Sequence, residues 1–540
     1  MRKNQYLSLT FKLAILLGMS LALAGCASFD FMKQKYFPQD TIKSTKVAPQ
    51  WQAALPQLLP APALPHDGKL TNLQKFWQQY QDPVLLEVIE AAEKESANIA
   101  TAKAKITEAR TNRINAKAAL LPTLDGNFSA SRSVQQPDIK YSNLPTGFNS
   151  QALSPTSGAT NSAQIGAQAA WELDLFGANR SLLNAAKARE DAAQAGWHDA
   201  RVSIAAEAAT SYFNLRFCEM QLAVNRNDAK SRAETARLTE ISKNAGFSAS
   251  GELHLAQASA ADANQQLKSQ QAQCDLAVKE LVALTDLDET VLKQKLQQTP
   301  FNPIEDNKTL FTIAEVPAQV IAQRPDIYSA EVDLISAAAD IRNNQAARLP
   351  KVSLNGSIGY MHLSGAGFSG NGEIWSLGPI SITLPIFDGG KRKANVENAE
   401  AKYEEAAANY RSKVRNAVKE VENALVTLHS TQDRHPDVLN ALNGYEASFA
   451  ATKEKVQAGF ANLIELEENR RNALQALTNS INLLKERNNA WITLYRAVGG
   501  GWQGKSQLAE VKISESGLIS SPTLNSATST STDTKSTVIK

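Results

Sequence analysis

The chain has 540 residues, which is enough for several domains. Lys and Arg number 56 and Asp and Glu number 54, so the formal net charge is only +2. This balance argues against a nucleic-acid-binding protein, because such proteins carry a clustered basic face.

The first residues indicate export from the cytoplasm. Arg2 and Lys3 precede an apolar run from Leu13 to Ala24, which is shorter than the roughly 20 residues that a membrane-spanning helix needs. A basic flank followed by a short apolar core is typical of a secretory signal peptide. We therefore predict that residues 1–25 are a signal peptide.

The apolar run ends in Leu23-Ala24-Gly25-Cys26, which resembles the cleavage site of a bacterial lipoprotein. The resemblance implies cleavage before Cys26 and acylation of its sulfur and its new amine. No Asp follows the cysteine, which implies transfer to the outer membrane. Several acyl chains on one residue form a stable anchor, whereas a single chain binds only marginally. A plain signal peptide with a chance cysteine is the alternative.

The rest of the sequence offers no candidate for a membrane-spanning helix. A chain that crosses a membrane without such a helix must form a closed β-barrel, because lipid provides no partner for free backbone groups. The next question is therefore whether the sequence contains suitable strands.

The sequence contains two copies of one plan. Each half has a helix, a Leu-Pro stop, a strand pair, a turn containing Phe and Gly, a very long helix, an Ala-Gly-Phe turn and a final helix. The matching segments are residues 118–122 and 346–350, residues 175–177 and 386–389, and residues 245–247 and 458–460.

Alternation of apolar and polar residues after each Leu-Pro predicts the strands. Leu124 and Phe128 share one face, for example, while Asp125 and Asn127 share the other. The strands are about ten residues long, as in transmembrane barrels. A soluble sheet with one buried face would alternate in the same way, but outer-membrane targeting favours the barrel. The predicted strand pairs lie in residues 122–176 and 350–388, with turn-rich loops at 135–162 and 363–373.

Most of the remaining sequence has the spacing of coiled-coil helices, with apolar residues three and four positions apart. The predicted helix from Ala178 to Asn244 would be roughly 100 Å long, so it must project away from the membrane. Four strands cannot close a barrel alone, since known single-chain bacterial barrels begin at eight. Three copies, with twelve strands in all, are the simplest closed arrangement.

Several of these features together resemble the TolC-like outer-membrane factors, in particular the lipoprotein (NodT-type) branch that serves resistance-nodulation-division efflux systems. They are the lipoprotein site, the segment Phe76–Leu85, the two Leu-Pro strand starts and the two Ala-Gly-Phe turns. The resemblance extends from about Lys75 to Gly499. It implies a trimer with a twelve-strand β-barrel, four strands per chain, continued by a long α-helical coiled-coil tunnel with an equatorial belt.

The same resemblance implies a function. The chain would be a passive exit duct for small toxic compounds, and its partners would be outer-membrane lipid, a periplasmic adaptor and an inner-membrane resistance-nodulation-division pump. Metal ions or secreted proteins are alternative cargoes, and a lipid-anchored coiled-coil structural protein is an alternative function. No catalytic constellation is present, and none of the six His residues has metal-ligand spacing, so we expect no enzyme, cofactor or metal site.

These observations divide the chain into six parts. They are a signal peptide (1–25), an N-terminal lipid-anchored segment that reaches the equator (26–84), a first repeat (85–286), an equatorial linker (287–317), a second repeat (318–502), and a Ser/Thr-rich tail that we expect to be disordered (503–540).

Two cysteines are candidates for a disulfide. Cys218 and Cys274 lie equally far before and after Gly246, so an antiparallel helix hairpin that turns there would place them side by side. Export to the cell envelope permits oxidation. The alternative is two small core residues that remain thiols.

Three acidic residues are candidates for a periplasmic gate. Glu252 and Glu465 follow the glycines of the two Ala-Gly-Phe turns at the same distance, and Glu468 lies one helical turn after Glu465. In the family that this chain resembles, acidic residues at matching positions line the closed tunnel entrance, more often as Asp than as Glu. The alternative is that they are ordinary first-turn glutamates, which favour a helix N-terminus by about 0.3–1 kcal/mol.

Overall fold

A computed structural model describes residues 36–55, 76–135, 158–299, 301, 317–365 and 368–502. The predicted signal peptide, Cys26 and the 503–540 tail lie outside these ranges, as do parts of the 26–84 segment and of the 287–317 linker.

The described residues form helices and one sheet. The helices are α1 (Pro38–Ser44), α2 (Pro83–Glu95), α3 (Ala97–Ala118), α4 (Ala178–Asn244), α5 (Ser250–Thr285), α6 (Glu289–Gln298), α7 (Pro317–Ile321), α8 (Pro325–Ala346), α9 (Lys391–Gln457) and α10 (Leu463–Ala497). The strands are β1 (Thr123–Gln135), β2 (Gly158–Leu173), β3 (Lys351–Gly365) and β4 (Phe368–Thr383). None of the described helices is long and apolar enough to cross a membrane.

The element lengths repeat between the two halves. Helices α3 and α8 each have 22 residues, α4 and α9 each have 67, and α5 and α10 have 36 and 35. The predicted helix from Ala178 to Asn244 has the same bounds as α4. We call α4 with α5 the first hairpin, and α9 with α10 the second hairpin. The predicted duplication is thus a structural one.

The four strands form one antiparallel sheet in the order β1-β2-β3-β4. The strand pair of one repeat joins that of the other where β2 pairs with β3, for example at Ile165 opposite Tyr360. Strands β1 and β4 each have one edge without a partner strand in the described chain. The sheet is therefore open on both sides.

The prediction of a loop at residues 363–373 is wrong. Strand β3 continues to Gly365 and β4 begins at Phe368, so both strands run through most of that segment. Its glycines suggested a turn, but Gly370 and Gly372 pair with Leu363 and Met361 across the hairpin. Backbone hydrogen bonds of the ladder hold these positions without any side chain.

Both hairpins turn at a glycine with a left-handed backbone. Gly246 and Gly459 each have a φ of 81°, which favours glycine because it lacks a Cβ. The N–H of Phe247 donates to the carbonyl of Ser242, and the N–H of Phe460 donates to that of Lys455. These bonds satisfy helix-end carbonyls in the manner of a Schellman motif. The Ala-Gly-Phe repeats are therefore helix stops.

An aromatic core lies at the middle of the helices. Phe76 stacks on Tyr495 with ring centroids 4.1 Å apart, and Trp77 contacts the same ring. Asp82 caps α2 by accepting from the N–H groups of Val84 and Leu85, and it also accepts a 2.5 Å hydrogen bond from the Tyr212 hydroxyl. Burial, with this hydrogen bond to Asp82 as the next cause, raises the pKa of Tyr212 above its usual range. The segment before α2 is thereby fixed to α4.

Cys218 of α4 and Cys274 of α5 meet across the first hairpin. Their Cα atoms are 5.6 Å apart and their sulfur atoms 2.05 Å apart, within the range that a disulfide requires. The two cysteines, which are equally far from Gly246 in the sequence, are therefore in contact in the structure.

We predict that these two cysteines are bonded in the exported protein. Thiol titration of the mature chain, unfolded without reductant, should detect neither of them, and reduction should release two thiols. A Cys218→Ser, Cys274→Ser variant provides the baseline for both titrations. Detection of two thiols before reduction would show that the helices bring the cysteines together without a bond.

Candidate functional site

One face of the sheet is lined by small polar residues. Side chains on this face bond in pairs across neighbouring strands, at 2.8 Å between the hydroxyl oxygens of Ser131 and Ser162 and at 2.8 Å between those of Ser357 and Ser376. Elsewhere on this face Gln, Asn, Thr and Gly predominate, and its apolar members include Ala170, Met361, Leu363 and Ile374. Its charged residues among the described positions are Asp125, Glu172 and Lys351, all close to the helical end of the strands.

The opposite face is apolar and exposed. Ile358 is 67% exposed and Trp375 is 75% exposed, and both belong to a band of large side chains that extends across all four strands. The other members with exposures above one half are Leu124, Phe128, Val134, Ile165, Leu377, Ile380 and Ile382. A soluble protein rarely exposes so large an apolar surface, which therefore indicates contact with a membrane or a partner.

The two faces together define what the sheet can do. An apolar outer band and a polar inner wall are the pattern of a transmembrane barrel with a water-filled lumen. The unpaired edges of β1 and β4 are then the places where further copies of the chain complete the wall.

The far ends of the two hairpins lie side by side, at the opposite end of the molecule from the sheet. We call residues 245–249 the first tip and residues 458–462 the second tip. A groove of about 440 Å³ lies between them, lined by Phe247 and Glu252 on one side and by Asn462 and Ile464 on the other.

The structure separates the three predicted gate acids. Glu252 lines the groove between the tips, whereas Glu465 and Glu468 are exposed outside it. The N–H of Glu465 donates to the side chain of Asn462 at 2.8 Å, so α10 is capped by Asn462 rather than by a carboxylate. All three acids nevertheless lie at the same end of the chain.

A buried polar cluster above the groove was not predicted. Arg470 of α10 forms a 3.1 Å ion pair with Asp228 of α4, which also accepts a hydrogen bond from Arg232 at 3.0 Å. Thr235 of α4 donates to Glu467 of α10 at 2.6 Å. The cluster fastens the second hairpin to the first.

One sequence signal could have suggested this cluster. Asp228 and Arg232 are four residues apart, the spacing at which opposite charges meet on a helix. The α10 partner of Asp228, Arg470, lies 242 residues away in the chain, and Glu467 lies 232 residues from Thr235. No local pattern links such distant positions.

Chemically, the described residues provide a polar wall on the sheet and a group of acids at the tips. Among them, no group of three His, Cys, Asp or Glu side chains is arranged to hold a metal ion. Small polar residues along the sheet and acids at the tips can line a path for solutes, and neither set resembles a reaction centre.

Comparison with known proteins identifies this arrangement. The family model described as outer membrane efflux protein matches residues 88–286 and 316–500. The toluene efflux pump outer membrane protein TtgI of Pseudomonas putida is 28% identical over 437 residues, which cover 80% of this chain and 88% of that protein. Nodulation protein T of Rhizobium leguminosarum bv. viciae is 32% identical over 232 residues, which cover 43% of this chain and 47% of that protein.

Among solved structures, the CmeC outer membrane channel of Campylobacter jejuni has the same fold. The TM-score is 0.69 at 23% identity, with 86% of this chain and 97% of that chain covered. The match of the family model over both repeats shows the family directly. The chain belongs to the outer membrane efflux protein family, as a non-enzymatic subunit of a trimeric channel with four strands per chain and a helical tunnel that projects into the periplasm.

Proposed function

We propose that this channel is the exit duct for small toxic organic compounds. A periplasmic adaptor would connect it to an inner-membrane pump of the resistance-nodulation-division class. The observation that carries the proposal is the inner wall of the sheet, which is built from short, mostly uncharged polar side chains.

Such a wall suits small organic solutes better than the alternative cargoes. Hydroxyl and amide groups neither attract nor repel a particular charge, and they let weakly polar molecules pass without binding them firmly. A duct for soft metal ions would be expected to present sulfur or imidazole ligands along its wall. Met361 is the one sulfur-containing residue on the described inner wall. The toluene cargo in the name of the relative TtgI agrees with this assignment.

Loss of the chain should therefore sensitise cells to organic compounds. Deletion of its gene should lower the inhibitory concentration of toluene-like solvents and hydrophobic dyes several-fold, and a plasmid copy should restore it. The same strains are also tested for sensitivity to copper and silver salts and for the amount of protein that they secrete into the medium. Sensitivity to the metals alone, or retention of a secreted protein, would contradict the proposed cargo.

We further propose that Glu252, Glu465 and Glu468 form the acidic gate. The two tips are duplicated, and the three acids are exposed at their common end, which supports this role. A threefold axis would turn each acid into a ring of three like charges. Rings of carboxylates attract cations and repel anions, and they resist close approach unless cations or protons neutralise them.

The gate can be tested by removing the charges of the two candidate acids on α10. Glu465→Gln with Glu468→Gln should reduce the preference for cations in planar bilayers and relieve block by divalent cations. A cation about 4 Å from one carboxylate in water gains about 1 kcal/mol, which is a factor of about five, so we expect the cation-to-anion permeability ratio to fall by at least about fivefold.

The matched control is Glu404→Gln with Glu446→Gln, which removes the same charge from exposed positions of α9. The control should keep the selectivity and divalent block of the wild type. Equal behaviour of the two variants would show that Glu465 and Glu468 are ordinary helix-end residues.

We also propose that Cys26 carries the lipid anchor of the 26–84 segment. Tyr36 packs on Tyr403 with centroids 5.0 Å apart, and the hydroxyls of Thr41 and Tyr403 share a 3.0 Å hydrogen bond. Tyr403 lies roughly 18 Å along α9 from its membrane end. The ten residues from Cys26 to Tyr36 can span up to roughly 33 Å, so the anchor can reach the bilayer.

Replacement of Cys26 tests this anchor. The intact mass of the purified mature chain should exceed the peptide mass by the acyl groups, and Cys26→Ser should lose that excess. Cys218→Ser is the control, because it removes a thiol and should leave the excess mass unchanged. A wild-type chain with an unmodified Cys26 would rule the anchor out.

A further inference from the structure

The junction between the sheet and the long helices combines exposed apolar residues with cations. Ile386 and Phe387, which follow β4, are 92% and 91% exposed, and Leu175, which follows β2, is also exposed. They lie between the ends of the strands and the starts of the long helices. We call this surface the junction collar; it consists of Leu175, Ile386 and Phe387 together with the exposed cations Lys117, Arg180 and Lys391.

The acids near the collar are already engaged. Asp174 accepts from the backbone N–H of Arg180 at 2.9 Å. Asp388 accepts from the N–H of Gly390 at 3.0 Å and from the guanidinium of Arg392 at 2.9 Å. Asp174 and Asp388 thus cap the first turns of α4 and α9, and Asp388 also pairs with the side chain of Arg392.

The collar cations have no ion pair within the described part of the chain. Lys351 nearby pairs with Glu172 at 3.5 Å, whereas no described acid lies within ion-pairing distance of Lys117, Arg180 or Lys391. Helices α4 and α9 have no acidic residue in their first turns, where an acid would be favourable. The three collar cations are therefore not neutralised by ion pairs within the described chain.

Closure of the barrel concentrates this charge. In the trimer, β4 of one copy pairs with β1 of the next, since these are the two open edges. Lys391 follows β4 and Lys117 lies in the last turn of the helix before β1, so the elements that meet at each protomer boundary both carry a collar cation. Each of the three boundaries then has the same pair, at the level where the apolar band ends.

We propose that the junction collar binds the phosphate groups of anionic phospholipids in the membrane leaflet that faces the periplasm. The apolar side chains of the collar lie among the acyl chains, and the cations lie at headgroup depth, where a Lys or Arg gains about fivefold in binding from an anionic surface. The proposal depends on the barrel and not on the cargo or the gate, so its failure would leave both intact.

The test compares lipid preference in nanodiscs. The trimer is placed in phosphatidylcholine discs, or in discs in which part of this lipid is replaced by phosphatidylglycerol with the same acyl chains. The melting temperature of the trimer and the phosphatidylglycerol retained in native mass spectrometry are recorded. Phosphatidylglycerol should raise both for the wild type, and Lys117→Gln, Arg180→Gln, Lys391→Gln should reduce its preferential retention by about fivefold per cation.

A variant with Lys230→Gln, Lys268→Gln and Lys453→Gln is the matched control. It removes the same charge from exposed positions of the hairpins and should behave like the wild type. Glycerol 3-phosphate added to phosphatidylcholine discs should have no effect, since stabilisation by the soluble anion would indicate a free phosphate site instead of a lipid site.

Two further measurements apply if the triple variant does not assemble. Lys391→Gln alone should lose part of the preference, and high salt should abolish it in the wild type because the attraction is electrostatic. A wild-type trimer indifferent to phosphatidylglycerol, or a collar variant with the preference of the control, would overturn the proposal.

Discussion

The unsatisfied edges of the four-stranded sheet determine how this chain must assemble. In lipid, every backbone N–H and C=O group needs a partner within the protein, and the outer sides of β1 and β4 have none in the described chain. Four strands are too few to curl into a barrel and satisfy themselves. Pairing β4 with β1 of the next copy removes both edges at once, and three copies give a twelve-strand wall. Assembly is thus a condition for insertion into the membrane.

Because the chain consists of two similar repeats, the arrangement of the helices follows from the arrangement of the strands. Each repeat supplies two strands and one long hairpin, so the helices leave the barrel in a regular order and continue it as a tunnel. The helices are held together by different means at different heights. Aromatic rings around Phe76 and Tyr495 pack at the middle, the Cys218–Cys274 contact joins the first hairpin, and the ion pair of Asp228 with Arg470 fastens the two hairpins near the tips.

Much of this fold could be predicted from local sequence patterns, and the exceptions have physical reasons. The bounds of α4 follow from apolar periodicity between two glycine-containing turns, and the strand faces follow from alternation. Glycines at 370 and 372 were misleading because a strand needs only backbone at those positions. For the candidate gate acids, the sequence predicted their common location but not their surroundings. Sequence placed Glu252, Glu465 and Glu468 at one end, but only the packing of the helices shows that Glu252 lies in the groove and that Glu467 bonds to α4.

The most direct test of this account is the mass of the purified protein in a mild, non-dissociating detergent. Native mass spectrometry or light scattering corrected for detergent should give three chains per particle. A proline in an edge strand, Ser129→Pro in β1, should shift the protein to smaller, unfolded or aggregated species, because proline removes a backbone donor from a strand of the barrel wall. A folded, stable monomer that retains its strands in detergent would contradict the central claim.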